Sequence, residues 1–197
     1  MARKKATEAE FTRQALIGAG LQVFSENGYS CSTLDMISQR AGVTRGAVYW
    51  HFKNKEALLQ ALLDSCVLPL ETFLSAHTSL AVRLQDLDVA MEFTLGDPVT
   101  RQVCELLMHK SERVNGLDAI SVRLQLAQRR FHQQIEEMLK DAVRGGDIAA
   151  QMDIASMAQV FRTCLTGLIF ECLRESSGTR VKITSTLQAV TALLRLA

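Results

Sequence analysis

Strand signals are missing from this 197-residue chain. Nowhere do β-branched residues alternate with polar ones between turn residues, so a sheet-based fold is not expected. Prolines number only two, which leaves long stretches free of the strongest helix breaker. No apolar run approaches the ~20 residues that would cross a bilayer. The opening stretch, MARKKATEAEF, has neither the apolar segment nor the small-residue cleavage site of a secretory leader. Export is therefore not expected, and a cytoplasmic location is. The five cysteines (Cys31, Cys66, Cys104, Cys164 and Cys172) are scattered and never spaced C-x-x-C. They read as packed thiols in a reducing compartment rather than as disulfides or zinc ligands. Catalytic signatures are absent as well: there is no nucleophile elbow, no phosphate loop and no His/Cys/carboxylate cluster. Cys172 beside Glu171 reads as an inert helical cysteine. An enzyme, a metal site and a cofactor are accordingly not expected.

What the chain does have is a lopsided charge distribution. The formal net charge is only +1, yet residues 1–55 carry eight Lys/Arg against four acids, a net of +4. The remainder carries 14 bases against 17 acids, a net of −3. A basic head on a mildly acidic body points to a polyanionic partner for the head.

Helical periodicity runs almost throughout. A first helix is expected over Glu8–Asn27, with Leu16, Ala19, Val23 and Phe24 on one face and Gly28 as its stop. Ser32 or Thr33 can cap a short helix from Leu34 to Ala41, and Gly42 forces a turn. Thr44 can cap a second short helix through Trp50. Asn54 can cap a longer one from Lys55 towards Ser75, bent at Pro69. Asp97 and Pro98 begin another helix. The stretches NGLD and RGGD bracket a long one bearing Ile120, Leu124, Ala127, Phe131, Ile135, Met138 and Ala142. Two more follow, over Met152–Arg174 and with Ile183, Leu187, Val190 and Leu194 in register.

Two short helices about a glycine turn form a helix-turn-helix. Val43, Ala47, Val48 and Phe52 can face inward, leaving Thr44, Arg45, Gly46, Tyr49, Trp50 and His51 nearer the outside. A second helix so placed fits the major groove of DNA. The planar fork of Arg45 matches guanine O6 and N7, and Thr44 suits a phosphate or a thymine methyl. Gly46 permits close backbone approach, Tyr49 and His51 offer donors to phosphate, and Lys55 sits at a helix N-terminus. Arg3, Lys4 and Lys5 are candidates for a flexible arm. Trp50 and His51 also suit plain packing and surface roles.

The stretch STLDMISQRAGVTRGAVYWHFKNKEALL resembles the helix-turn-helix of TetR-family transcriptional regulators. GVTRGAVYWHFKNK, with an N-terminal MARK, is most similar to the AcrR branch, regulators of multidrug efflux. The resemblance is dense from about Thr12 to Leu59, while the rest agrees only in helix pattern. It implies an all-α, nine-helix fold, with a DNA-binding domain over 9–69 and a ligand-binding and dimerisation domain over 70–197. It also implies a homodimeric repressor that reads a near-palindromic operator and is released by a small molecule. By that resemblance Thr33, Thr44, Arg45, Tyr49, His51 and Lys55 occupy positions that commonly touch DNA.

In the body, CLTGLIFECL (164–173) is apolar nearly all round, which indicates burial on more than one side. With the last helix it is expected to form a dimer seam, the alternative being a monomeric core helix. Phe93, Met108, Phe131 and Phe161 are soft or aromatic groups suited to a cavity for varied apolar ligands, or equally to ordinary core. Glu105, Glu112, Gln128, Gln134 and Cys164 complete the candidate lining, and its acids suit a lipophilic cation. A related regulator without a small-molecule effector is the second reading.

Overall fold

Capping residues and apolar stripes resolve into nine α-helices and no strand among the described residues of the computed structural model, which are 2–74, 79–109, 118–175 and 179–194. In chain order they are α1 (Ala2–Cys31), α2 (Leu34–Ala41), α3 (Arg45–His51), α4 (Lys55–Ser65), α5 (Leu80–Gly96), α6 (Pro98–His109), α7 (Asp118–Arg144), α8 (Ile154–Arg174) and α9 (Thr179–Leu194). A single 3₁₀ turn, Pro69–Glu71, follows α4.

Helix boundaries differ from expectation chiefly in α1 and α4, with smaller shifts at the end of α3, which reaches His51, and the start of α8, which is Ile154 rather than Met152. The first helix begins at Ala2 rather than Glu8, because Ala, Lys and Glu in the opening stretch are strong helix formers with no breaker among them. Arg3, Lys4 and Lys5 thus belong to α1 and not to a flexible arm. Gly28, with φ 75° and ψ 158°, breaks the helix where a stop was expected, although helical pairing resumes to Cys31. The fourth helix ends at Ser65 instead of running on towards Ser75, which lies outside the described residues. Leu68 precedes a proline and is extended, as the Pro69 ring demands. Glu71 then accepts the Leu68 N–H at 3.2 Å.

The chain divides into two compact units: Met1–Cys66 with Glu105–Arg123, and Val67–Cys104 with Leu124–Ala197. In the first, Leu16, Val23, Phe24, Ile37, Val48, Phe52, Leu58 and Leu62 form a buried apolar cluster from the first four helices. A Cβ on Gly20 would collide with Leu58, so the absence of a side chain there lets α1 and α4 approach closely. Arg40 makes a bidentate pair with Glu26 at 2.8 and 2.5 Å, joining α2 to α1. Arg123 donates from Nε to the carbonyl of Leu63 at 3.2 Å and from Nη2 to that of Cys66 at 2.5 Å, covering the C-terminal end of α4.

The second unit is organised by the expected stripes. Along α7, Ala127, Phe131, Ile135, Met138 and Ala142 are buried, with Leu124 half-buried. Phe131 meets Phe73 edge-on at 6.1 Å. Along α9, Ile183, Leu187 and Val190 are buried, and the Leu194 side chain lies outside the described residues. Asp97 accepts both the N–H and the O–H of Thr100, at 2.8 and 2.7 Å, and these bonds hold its carboxyl below the usual carboxylate range. Arg101 donates to the carbonyls of Cys172 and Leu173 at 3.1 and 2.8 Å, closing the C-terminal end of α8. The buried Glu71 carboxylate takes a hydrogen bond from Arg130 at 2.9 Å.

Candidate DNA interface

Local chemistry sets the geometry of α2 and α3. The Thr33 hydroxyl oxygen accepts the Met36 N–H at 3.2 Å, and the Thr44 hydroxyl accepts that of Ala47 at 3.2 Å, so each helix begins on a side-chain cap. Ser32, the other candidate cap, donates backwards instead to the carbonyls of Gly28 and Val23. Between the helices Gly42 takes φ 67° and ψ 29°, the left-handed conformation that a Cβ resists. Its turn is closed by the Gly42 N–H on the Gln39 carbonyl and the Val43 N–H on the Ser38 carbonyl.

The inner and outer faces of α3 separate cleanly. Val48 and Phe52 are buried, and Val43 and Ala47 are half-buried. Thr44, Arg45, Gly46, Tyr49 and Trp50 are exposed, with Tyr49 at 59% and Trp50 at 73%. Two large aromatic rings thus face outward on a helix whose other side is buried. His51 is half-buried and meets the Trp50 ring edge-on at 4.5 Å. Burial, together with the nearby positive charge of Arg13, pulls its pKa below the ordinary histidine value, against a weaker opposing pull from Glu10. The Arg13 guanidinium lies 5.4 Å from the centre of the Phe52 ring.

Lys55, the phosphate contact expected at the start of α4, is turned onto the protein's own backbone. Its ammonium donates to the carbonyls of Tyr29, Ser30 and Ser32 at 2.7, 3.2 and 2.8 Å and lies 4.4 Å over the Tyr29 ring. An ammonium has three N–H donors, and all three are occupied. Burial lowers its pKa. Lys55 therefore ties the end of α1 to the start of α4, and the neighbouring Lys53 is exposed. The sequence sets Lys53 beside Tyr49, Trp50, Arg45 and His51 on this segment, just ahead of the Asn54 cap. An open groove of about 410 Å³ brings together Thr33, Asp35, Arg45, Tyr49, Lys53 and Lys55.

The candidate ligand residues fall in both units. Phe131 and Phe161 are buried, whereas Phe93 and Cys164 are exposed. Gln134 is half-buried and accepts the Leu74 N–H at 3.0 Å, and Gln128 is half-buried. Glu105 and Met108 are half-buried in the first unit, and Glu112 lies outside the described residues. A groove of about 430 Å³ in the second unit, lined by Leu84, Asp88, Thr184, Leu187, Gln188 and Thr191 among others, includes none of them. The cysteines are only partly packed: Cys104 and Cys172 are buried, Cys66 is half-buried, and Cys31 and Cys164 are exposed. No helix among the described residues is long and apolar enough to cross a membrane, and no His/Cys/Asp/Glu group there could hold a metal ion.

An all-helical chain with a capped helix-turn-helix and an exposed basic and aromatic face is that of a DNA-binding regulator. The model of bacterial regulatory proteins of the tetR family matches residues 16–62, and that of the MAATS-type transcriptional repressor C-terminal region matches residues 80–195. The chain belongs to the TetR family of transcriptional regulators, which are not enzymes. It is 40% identical over 195 residues to the regulator SrpR of Pseudomonas putida, covering 99% of this chain and 91% of that one. It is 33% identical over 179 residues to the regulator AcrR of Shigella flexneri, covering 86% and 81%. Among solved structures it is similar to SmeT in complex with triclosan, SmeT being the repressor of the Stenotrophomonas maltophilia multidrug efflux pump SmeDEF. That match has a TM-score of 0.78 and 26% identity, and it covers 92% of this chain and 90% of that one.

Proposed function

We propose that this protein is a cytoplasmic, homodimeric repressor that binds a near-palindromic operator and controls a multidrug efflux gene. In this reading residues 9–69 form the DNA-binding head and 70–197 the ligand-binding and dimerisation body. The observation that carries it is the outer face of α3: Arg45, Tyr49 and Trp50 are exposed on a helix whose inner face is anchored by Val48 and Phe52. Arg45 reads a base edge, while Thr33, Tyr49, Trp50 and His51 meet the backbone. Gly46 supports close approach, since a Cβ there would meet nothing nearer than the Thr44 hydroxyl at 3.9 Å, so the fold itself has no need of a glycine.

Dimerisation through α8 and α9 is supported by an exposed stripe on α8 at Val160, Cys164, Gly167 and Phe170, spaced at helical intervals. Two copies would set two α3 helices one DNA turn apart. The likeness to SmeT, solved with triclosan, supports control by lipophilic compounds, and the half-buried acid Glu105 suits cationic ones. Such a ligand must bind the DNA-free conformation better than the DNA-ready one. Burial of Phe131 and Phe161 favours the second reading, a regulator without a small-molecule effector.

The test is fluorescence anisotropy on duplexes selected by the protein from a random pool. Salt-sensitive binding, weakened by triclosan or by efflux-substrate dyes, is the expected result. No affinity for any duplex overturns the reading, and binding unmoved by a broad compound panel supports the effector-free alternative.

A further inference from the structure

Across the turn of the helix-turn-helix, Arg45 at the start of α3 meets Asp35 in the first turn of α2. Arg45 Nε donates to Asp35 Oδ1, and Arg45 Nη2 pairs with Asp35 Oδ2, a side-on bidentate arrangement. The Arg45 side chain nonetheless remains 70% exposed, and both residues line the groove that also holds Tyr49 and Lys53. A guanidinium offers two forks. The side-on fork, Nε with Nη2, is taken by the carboxylate. The end-on fork, Nη1 with Nη2, stays available, and it has the spacing that guanine O6 and N7 accept.

We infer that Asp35 is a specificity-determining residue, which holds Arg45 side-on so that its end-on fork reads guanine. This inference rests on the proposed base-reading role of Arg45. A long, unrestrained arginine on an exposed helix can swing to the nearest phosphate and add affinity for every sequence. Restrained by Asp35, it gains a good contact only where a guanine stands opposite. The carboxylate also opposes phosphates that enter the groove, which lowers binding to unselected DNA. A role confined to favouring the N-terminus of α2 through the helix dipole would change stability and leave base preference untouched.

The experiment selects duplexes from a library randomised over about two helical turns, matching two adjacent half-sites. Full-length wild type, Asp35→Asn, Asp35→Glu and Arg45→Ala are run in parallel, with a thermal melt of each. Wild type should enrich one strongly preferred guanine per half-site, and Arg45→Ala should lose it. Asp35→Asn should lower that guanine preference roughly tenfold, while affinity for the unselected pool holds or rises. Asp35→Glu, which keeps the charge, should retain more of the preference than Asn. Asp35→Ser, also tolerated near a helix start, replaces Asn if the latter melts early. A guanine preference unchanged in Asp35→Asn overturns the inference, including the case where the selected site is simply bound more tightly. A preference surviving Arg45→Ala overturns it too, while leaving DNA binding intact. No enriched sequence from wild type instead defeats the proposed function itself.

Discussion

The Lys55 ammonium sits 2.7 Å from the Tyr29 carbonyl oxygen and 4.4 Å over the centre of the same residue's ring. One cation thus holds both the backbone and the side chain of the residue next to the Gly28 break. It also reaches the carbonyls of Ser30 and Ser32. Positive charge at a helix C-terminus is favourable, and here it fixes the chain immediately ahead of α2.

Lys55→Met should therefore cost about 1–3 kcal/mol of stability, since charge-assisted hydrogen bonds are lost and three carbonyls are left to find water. Lys53→Ala should leave the melting temperature alone and reduce the salt dependence of DNA binding by about one unit of slope. Chemical denaturation and salt-titrated anisotropy separate the two. The assignments are exchanged if Lys55→Met alters only the salt slope.

Gly42→Ala should destabilise the head by roughly 1–2 kcal/mol, because its φ of 67° forces a Cβ against the following carbonyl. Gly42→Asn should cost less, asparagine being the side chain that best tolerates this conformation. Urea unfolding of the two variants checks the order.

His51 gives the head a pH dependence whose sign follows from its lowered pKa. As pH falls through the ordinary histidine value of 6.5, the unfolded chain takes up the proton before the folded one does. Stability should therefore drop between that point and the depressed folded value, and be fully present above 6.5. His51→Gln should flatten this part of the profile. A wild-type melting temperature that rises on acidification through the same window contradicts the assignment.

Gly167→Lys should turn the protein into a monomer by light scattering while leaving its far-ultraviolet helix signal intact. A Cβ at 167 meets nothing within 4 Å among the described residues of its own chain, so the long lysine is expected to obstruct a partner rather than its own fold. Operator affinity should fall with the mass. A dimer that survives this change removes the α8 stripe from the seam.

Much of the head was legible from residue type, because its controls are local. Thr33, Thr44 and Asn54 each cap an N–H three residues ahead, and Gly42 turns the chain by itself. Long side chains were less legible. Lys55 acts on carbonyls more than twenty residues upstream, and Asp35 meets Arg45 only because the turn folds α3 back. The end of α4 escaped because its apolar periodicity continues past the point where Pro69 imposes extended backbone on Leu68. In the body, an aromatic spacing describes a buried wall and a cavity wall equally well. Phe131 and Phe161 became distinguishable from Phe93 only through burial.

Gly46, the second residue of the seven-residue α3, has room for the methyl it lacks, which would touch only the Thr44 hydroxyl at 3.9 Å. Alanine there would relieve about 0.5–1 kcal/mol of chain entropy. A Gly46→Ala variant should melt at a higher temperature and hold its operator more loosely. Breeding this protein for heat resistance by filling helices with good helix formers would therefore blunt the tip that enters the duplex, and survivors of such a screen should be the poorer switches.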